Sequence, residues 1–241
     1  MPNASDATAS RLTRDAAGKA SRAGSLALVA GGLALDFANT SSGRGGPRHL
    51  EHLGTASDVA TWAAHAGVID QATRALIDQK LAAGDRGFSA LLRDALSLRE
   101  TVYRIARAVA RREQPAEADL AQLSARCAAS LAKASIEMLS EGARWRWPSS
   151  EPIPETILGP ITLSAVGLLR EGDPTRLKQC PGEHCGWVFF DMTKNGSRRW
   201  CEMKVCGNRA KAKTHYRRHK VPADFAGEIC APLDASATNG R

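Results

Sequence analysis

The apolar positions of this chain change period along its length, and each change marks a different kind of element. Over residues 88–112, Leu91, Leu92, Ala95, Leu98, Val102, Ile105, Ala106 and Val109 recur every three or four residues, the repeat of a long helix with one buried face. Shorter helices precede it. Ser57 is placed to cap one that runs to about Ala66 before Gly67, and Asp70 to cap another that runs to about Ala83 before Gly84. Pro115 opens a further helix with Leu120, Leu123, Cys127 and Leu131 on one side, where Cys127 reads as a small core residue. At Ser135 the period shortens to two. Residues 135–139 and 143–147, with Glu141-Gly142 between them, predict a hairpin carrying Trp145 and Trp147. Residues 156–169 are apolar enough for a buried helix, which Gly159-Pro160 should interrupt or kink. Upstream, residues 26–30 predict a strand, Gly31-Gly32 a turn, and residues 33–39 a short strand or helix. Asp36 and Asn39 there have no neighbouring acid or base to act with, and are assigned to caps and turn bonds. His52 and His65 lie in no ligand spacing and are assigned to the surface or to helix ends.

The last quarter follows no single period. Residues 187–192 read as a strand, Asn195-Gly196 as the turn of a two-residue hairpin, and residues 198–201 as its return. In that register Asp191 falls opposite Trp200 and Phe190 opposite Cys201, so aromatic side chains on both faces would form a miniature core. An exposed Trp187 or Trp200 would instead offer a base-stacking surface. Asn208 is placed as the N-cap of a helix over residues 209–220, stopped by Val221-Pro222. On its wheel Arg209, Lys213, Arg217 and Lys220 form one stripe. Ala212, His215, Tyr216 and His219 form another, the expected packing side.

Composition bounds the picture. With 241 residues, 43% hydrophobic and 24% charged, the chain is ordinary globular material, long enough for a medium domain and a small one. Residues 1–24 carry few large apolar side chains and are expected to form a disordered tail, and residues 222–241 a C-terminal tail. No apolar run approaches the roughly 20 residues of a membrane helix, so a cytoplasmic protein with no membrane role is expected. The net charge of +8 is unevenly placed: residues 176–220 hold twelve Lys and Arg against three Asp and Glu, leaving twenty-one and twenty-two for the remainder. The whole excess lies in one segment, the footprint of a polyanion such as nucleic acid.

That segment also holds four of the six cysteines, as two copies of Cys-x4-Cys-Gly: Cys180 and Cys185 before Gly186, and Cys201 and Cys206 before Gly207. Thiolates suit tetrahedral Zn2+, and two short-range pairs supply a closed four-sulfur site. Each glycine is expected to take a positive φ just after the second ligand, with backbone N–H groups turned toward sulfur. His184 is placed on the exposed side of the first pair. A rival site of Cys201, Cys206, His215 and His219 has only eight residues between Cys206 and His215, against about twelve in a two-Cys, two-His finger, and it would strand Cys180 and Cys185. Four thiolates leave no open position for substrate, so the zinc is structural and no catalytic residue is assigned. Clustered cysteines also fit metal in a reducing compartment better than disulfides.

The run Cys206-Gly207-Asn208-Arg209-Ala210-Lys211 resembles the CGNR-type zinc finger, and residues 195–201 (NGSRRWC) fit the same family's hairpin. Residues 31–40 (GGLALDFANT) are similar to the opening of the ABATE-type domain that precedes such fingers. The resemblance implies a bacterial stress-related transcription regulator whose finger binds DNA, with zinc on Cys180, Cys185, Cys201 and Cys206. The expected fold is α+β: a mostly helical domain with a small sheet at residues 25–172, then a treble-clef-like finger of hairpin and helix at residues 176–221. Its nucleic-acid contacts are assigned to Arg198, Arg199, Arg209, Lys211, Lys213, Arg217, Arg218 and Lys220, with double-stranded DNA as the partner. The helical domain is left as the place for a homodimer contact or a small-molecule effector. Two alternatives stand beside it: an enzyme or ligand-binding protein with its site in the helical domain and the finger as accessory, and an RNA-binding protein that uses the same charges.

Overall fold

A short helix at the start of the described chain is the hub of the architecture. The computed structural model describes residues 22–44, 46–47 and 49–219, the side chains of Arg218 and His219 excepted. The expectations for both tails, for Lys220 and for the Val221-Pro222 stop lie outside those residues. Helix α1 (Leu33–Ala38) follows Gly31, whose φ is +81°. The stretch before it, expected as a strand, joins no sheet. Its Ala30 N–H is taken by the Asp36 carboxylate at 2.8 Å instead. The two-residue strands β1 (Ser41–Ser42) and β2 (Leu50–Glu51) pair beyond it.

Helix α2 (Ala56–His65) starts slightly earlier than expected. Thr55 rather than Ser57 is the cap, in a reciprocal box in which the Thr55 side chain accepts from Asp58 N–H and Asp58 accepts from Thr55 N–H. Helix α3 (Gln71–Ala82) is capped by Asp70 through Thr73 N–H at 2.7 Å, as the sequence indicated. The long amphipathic helix is α4 (Leu91–Ala110), followed by α5 (Glu117–Leu131). The hairpin is β3 (Ser135–Leu139) with β4 (Gly142–Arg146), and α6 (Pro154–Glu171) runs unbroken through Pro160. Pro160 is half-buried and costs the helix one hydrogen-bond donor without ending it. Next to it, a Cβ on Gly159 would fall inside the Trp147 ring, which explains the glycine by close approach. Cys127 is only half-buried, and His52, expected outside, is buried with its ring against Ser42 Oγ at 3.1 Å. His65 does lie at a helix end, its Nε2 2.7 Å from the Leu26 carbonyl.

Helix α1 packs between α4 and α6, with Leu35 and Phe37 fully buried and the Phe37 ring centroid 5.0 Å from that of Trp62. The same continuous core takes in Leu177, Val188 and Phe189 from the cysteine segment. The finger is therefore packed onto the helical domain as part of one hydrophobic interior.

Candidate metal centre and nucleic-acid interface

The cysteine segment folds from its first strand outward. Strand β5 (Leu177–Gln179) pairs antiparallel with β6 (Val188–Phe190), Leu177 opposite Phe190 and Gln179 opposite Val188, and Cys180 N–H donates to Trp187 O at 2.8 Å. The first Cys-x4-Cys unit is the loop of this hairpin. The expected partner of β6, residues 198–201, forms no ladder, because β5 occupies one edge of β6, Asn39 and Ala30 bond the other, and the Asp191 side chain takes the Arg198 N–H. Asp191 accepts from Thr193 N–H at 2.9 Å, Thr193 Oγ1 at 2.6 Å and Arg198 N–H at 2.8 Å. Lys178 Nζ binds Asp191 at 2.6 Å and caps the carbonyls of Gly196 and Arg198 at 2.6 and 2.9 Å. Asn195-Gly196 is thus a turn, with Gly196 at φ +62°, inside a loop organised by side chains. Burial alone would push the Asp191 carboxyl up, but Lys178, Thr193 and the Arg198 N–H outweigh it and hold the group well below the usual carboxylate range.

The second pair of cysteines enters a wide helical turn, Met203–Gly207, that leads into α7 (Asn208–His219). Asn208 is helical (φ −66°, ψ −38°) and is no N-cap, because the preceding turn already supplies the first carbonyls. Gly186 takes φ +72° after its ligand as expected. Gly207 does not: it is a glycine because a Cβ would run into Met203 and lie 3.2 Å from Trp200.

The four sulfurs of Cys180, Cys185, Cys201 and Cys206 all lie within 4.8 Å of one another. Sγ of Cys185 is 3.6 Å from that of Cys201, which is 3.7 Å from that of Cys206. Those spacings match the edges of a tetrahedron with Zn–S bonds of about 2.3 Å and are far from the roughly 2 Å of a disulfide. Gly182 N–H points at Cys180 Sγ from 3.5 Å, and a Cβ on Gly182 would lie 3.1 Å from Cys206 Sγ. Cys180, Cys201 and Cys206 are buried and Cys185 half-buried, so four thiolates meet where water cannot screen them and a divalent cation must. The donor set fits one structural zinc. A cleft of about 580 Å³, walled by Leu26, Pro47, Trp187, Val205 and Arg209, opens on Cys185, Cys201 and Cys206.

The contact between finger and helical domain is where the sequence reading missed most. Asn39, expected in a local turn bond, donates from Nδ2 to Val188 O at 2.9 Å and accepts Val188 N–H at 3.1 Å, completing the free edge of β6. Phe190 N–H donates to Ala30 O at 2.7 Å, and a Cβ on Gly31 would stand 2.8 Å from Phe190 O. Tyr103 Oη donates to Gly186 O at 3.0 Å while the Arg44 guanidinium lies 3.8 Å over its ring. Arg112 donates to Pro174 O and Thr175 O at 2.5 and 2.9 Å, holding the connection. A buried side-chain amide bonded to both groups of one strand residue is invisible as a local pattern, since Asn39 and Val188 are 149 residues apart.

The basic residues divide. Arg198 turns inward: it donates to Val29 O at 2.7 Å, to Trp200 O at 3.0 Å and to Cys201 O, and lies 4.4 Å over the Phe189 ring. Its Nε and Nη2 are thus engaged by the protein, which argues against Arg198 as a nucleic-acid contact. Arg199 turns outward, 5.2 Å over Trp200. Arg209, Lys211, Lys213 and Arg217 are exposed, Lys213 bridging to Glu183 on the first cysteine loop. Lys194 and Lys204, also exposed, join them on the finger and lie outside the set expected from the sequence. On the expected packing side of α7 the three residues whose side chains are described, Ala212, His215 and Tyr216, are exposed, Tyr216 at 67%. His184 is exposed, as expected, with φ +59°.

A helical domain fused to a four-thiolate finger with an outward basic helix defines a zinc-finger protein. The family model described as "Putative stress-induced transcription regulator" (ABATE) matches residues 31–172, and that described as "CGNR zinc finger" matches residues 176–219. The chain belongs to the ABATE family of regulators and carries a CGNR zinc finger. No curated protein matches it. Among the described residues no helix is long and apolar enough to cross a membrane.

Proposed function

We propose that this chain is a transcription regulator of the bacterial cytoplasm that binds double-stranded DNA through its finger, within a stress response. The observation that carries the reading is the state of α7: from Lys211 to Arg217 every side chain is exposed, on a finger whose base is fixed in the core. A rigid base and an unburied cationic helix suit a phosphate backbone, where Arg and Lys act by charge and by release of counterions. Arg199, Lys204, Arg209, Lys211, Lys213 and Arg217 are the proposed contacts, with Arg218 and Lys220 added from the sequence. Zinc, when bound, contributes fold and no chemistry, since its four positions are filled by sulfur.

The enzyme alternative is less well supported. Asp36 is engaged by Ala30 N–H, and the cavity beside it, about 200 Å³, is lined by Gly31, Gly32, Ala34, Leu35, Ser164 and Leu168, with no titratable group. The deciding experiment compares binding of duplex DNA, structured RNA and single strands by the zinc-loaded protein. Tightest binding to duplex DNA supports the proposal, and preference for structured RNA transfers the same residues to the RNA alternative.

A further inference from the structure

The hairpin β3–β4 has its apolar face turned the wrong way for a solitary molecule. Its register places Ile136 opposite Trp145 and Met138 opposite Ala143 on one face, with Ser135 opposite Arg146 and Glu137 opposite Arg144 on the other. The charged face is satisfied within itself, Arg144 reaching Glu137 at 2.7 Å and Arg146 reaching it at 3.3 Å. The apolar face is open to solvent: Ile136 is 63% exposed, Met138 75% and Trp145 43%. Just beyond β4, Trp147 is buried, its ring on Gly159 and its indole N–H on Ser130 O at 2.9 Å. That anchor fixes the root of the hairpin and holds the open face outward. A two-stranded hairpin is marginal in water and gains stability when its apolar face is covered.

We propose that the face made by Ile136, Met138, Ala143 and Trp145 is the contact through which two copies of this chain associate, packed face to face about a two-fold axis. Three features favour a second copy. The face carries no charge, so an acidic or basic partner finds nothing complementary on it. Pairing by strand edges would bring the Arg144 and Arg146 or the Glu137 side chains of two copies close together, whereas face-to-face packing leaves these charges outside. The open side chains present roughly 400 Å² per copy, the size of patch that marks a contact site, and two copies with their rims reach the low end of specific interfaces. An isologous contact at that end of the range is expected to be weak and reversible. The inference stands on the hairpin and is independent of what the finger binds.

The test is sedimentation velocity of the zinc-loaded full chain from about 1 to 300 μM. The expected result is a shift from monomer to dimer across that range. Ile136→Glu combined with Met138→Glu should stay monomeric throughout, with zinc content and far-ultraviolet circular dichroism unchanged. Glu137→Gln, on the opposite face, should dimerise as the wild type does. A wild-type chain that stays monomeric at the top of the range, a dimer that survives the double substitution, or a monomer that instead binds phosphatidylcholine vesicles through this face would overturn the proposal.

Discussion

Two adjacent arginines show how the finger divides its labour. Arg198 is drawn into the base, donating to Val29 O, Trp200 O and Cys201 O, while Arg199 stands outside over Trp200. The same division runs through the whole segment. Its base shares the core of the helical domain through Leu177, Val188 and Phe189, whereas α7 is exposed from Lys211 to Arg217. Positive charge in the base is paired with protein oxygens and serves folding. Positive charge on α7, apart from the Lys213–Glu183 bridge, faces solvent and is available to a partner.

The comparison breaks most sharply at the metal. Cys206→Ser removes one of four ligands that hold both halves of the finger together, and should abolish stoichiometric zinc and cost at least about 3 kcal/mol of stability. Metal analysis with thermal denaturation reads both. Within the base, Asn39→Ala strands the buried N–H and C=O of Val188 and should cost about 2 kcal/mol, with zinc retained. Arg198→Ala should cost a similar amount, while Arg199→Ala should change stability by less than about 0.5 kcal/mol and weaken DNA binding. Equal effects of the two arginine substitutions on unfolding in urea would erase the division.

The smallest expected effect concerns Asp36, whose carboxyl burial pushes up to about 6, partly offset by the N–H groups of Ala30 and Val29 and by Arg198. A raised carboxyl pKa stabilises the fold at acid pH and withdraws that stability as pH rises through the folded value. Asp36→Asn should therefore gain thermal stability relative to the wild type between about pH 4 and pH 6, and the gap should level off above about pH 7. A gap that does not change with pH would show that Asp36 is not titrating there.

How much of this was legible in the chain follows from the range of the interactions. The zinc ligands were readable because their chemistry is local: two pairs at fixed spacing can wrap one ion in few geometries. The helices of the first domain were readable from their period, and α3 even to its cap at Asp70. What could not be read was set by distant partners. The pairing of β6 with β5 instead of residues 198–201 depends on Asp191 and Lys178, side chains that replace a ladder. The stripe of Ala212, His215 and Tyr216 looked like a packing face, yet all three side chains are exposed. Periodicity shows that a helix has two sides and is silent on whether anything lies against either.

With α7 as the phosphate-facing element, the salt dependence of duplex binding is the most direct test. Arg209→Glu combined with Arg217→Glu leaves the zinc ligands and the base untouched. The plot of log affinity against log salt for this variant should be shallower than the wild type's by about two, with affinity at low salt down at least about tenfold and one zinc per chain retained. An unchanged slope and affinity, with zinc still bound, would contradict the central claim and place nucleic-acid binding elsewhere on the molecule.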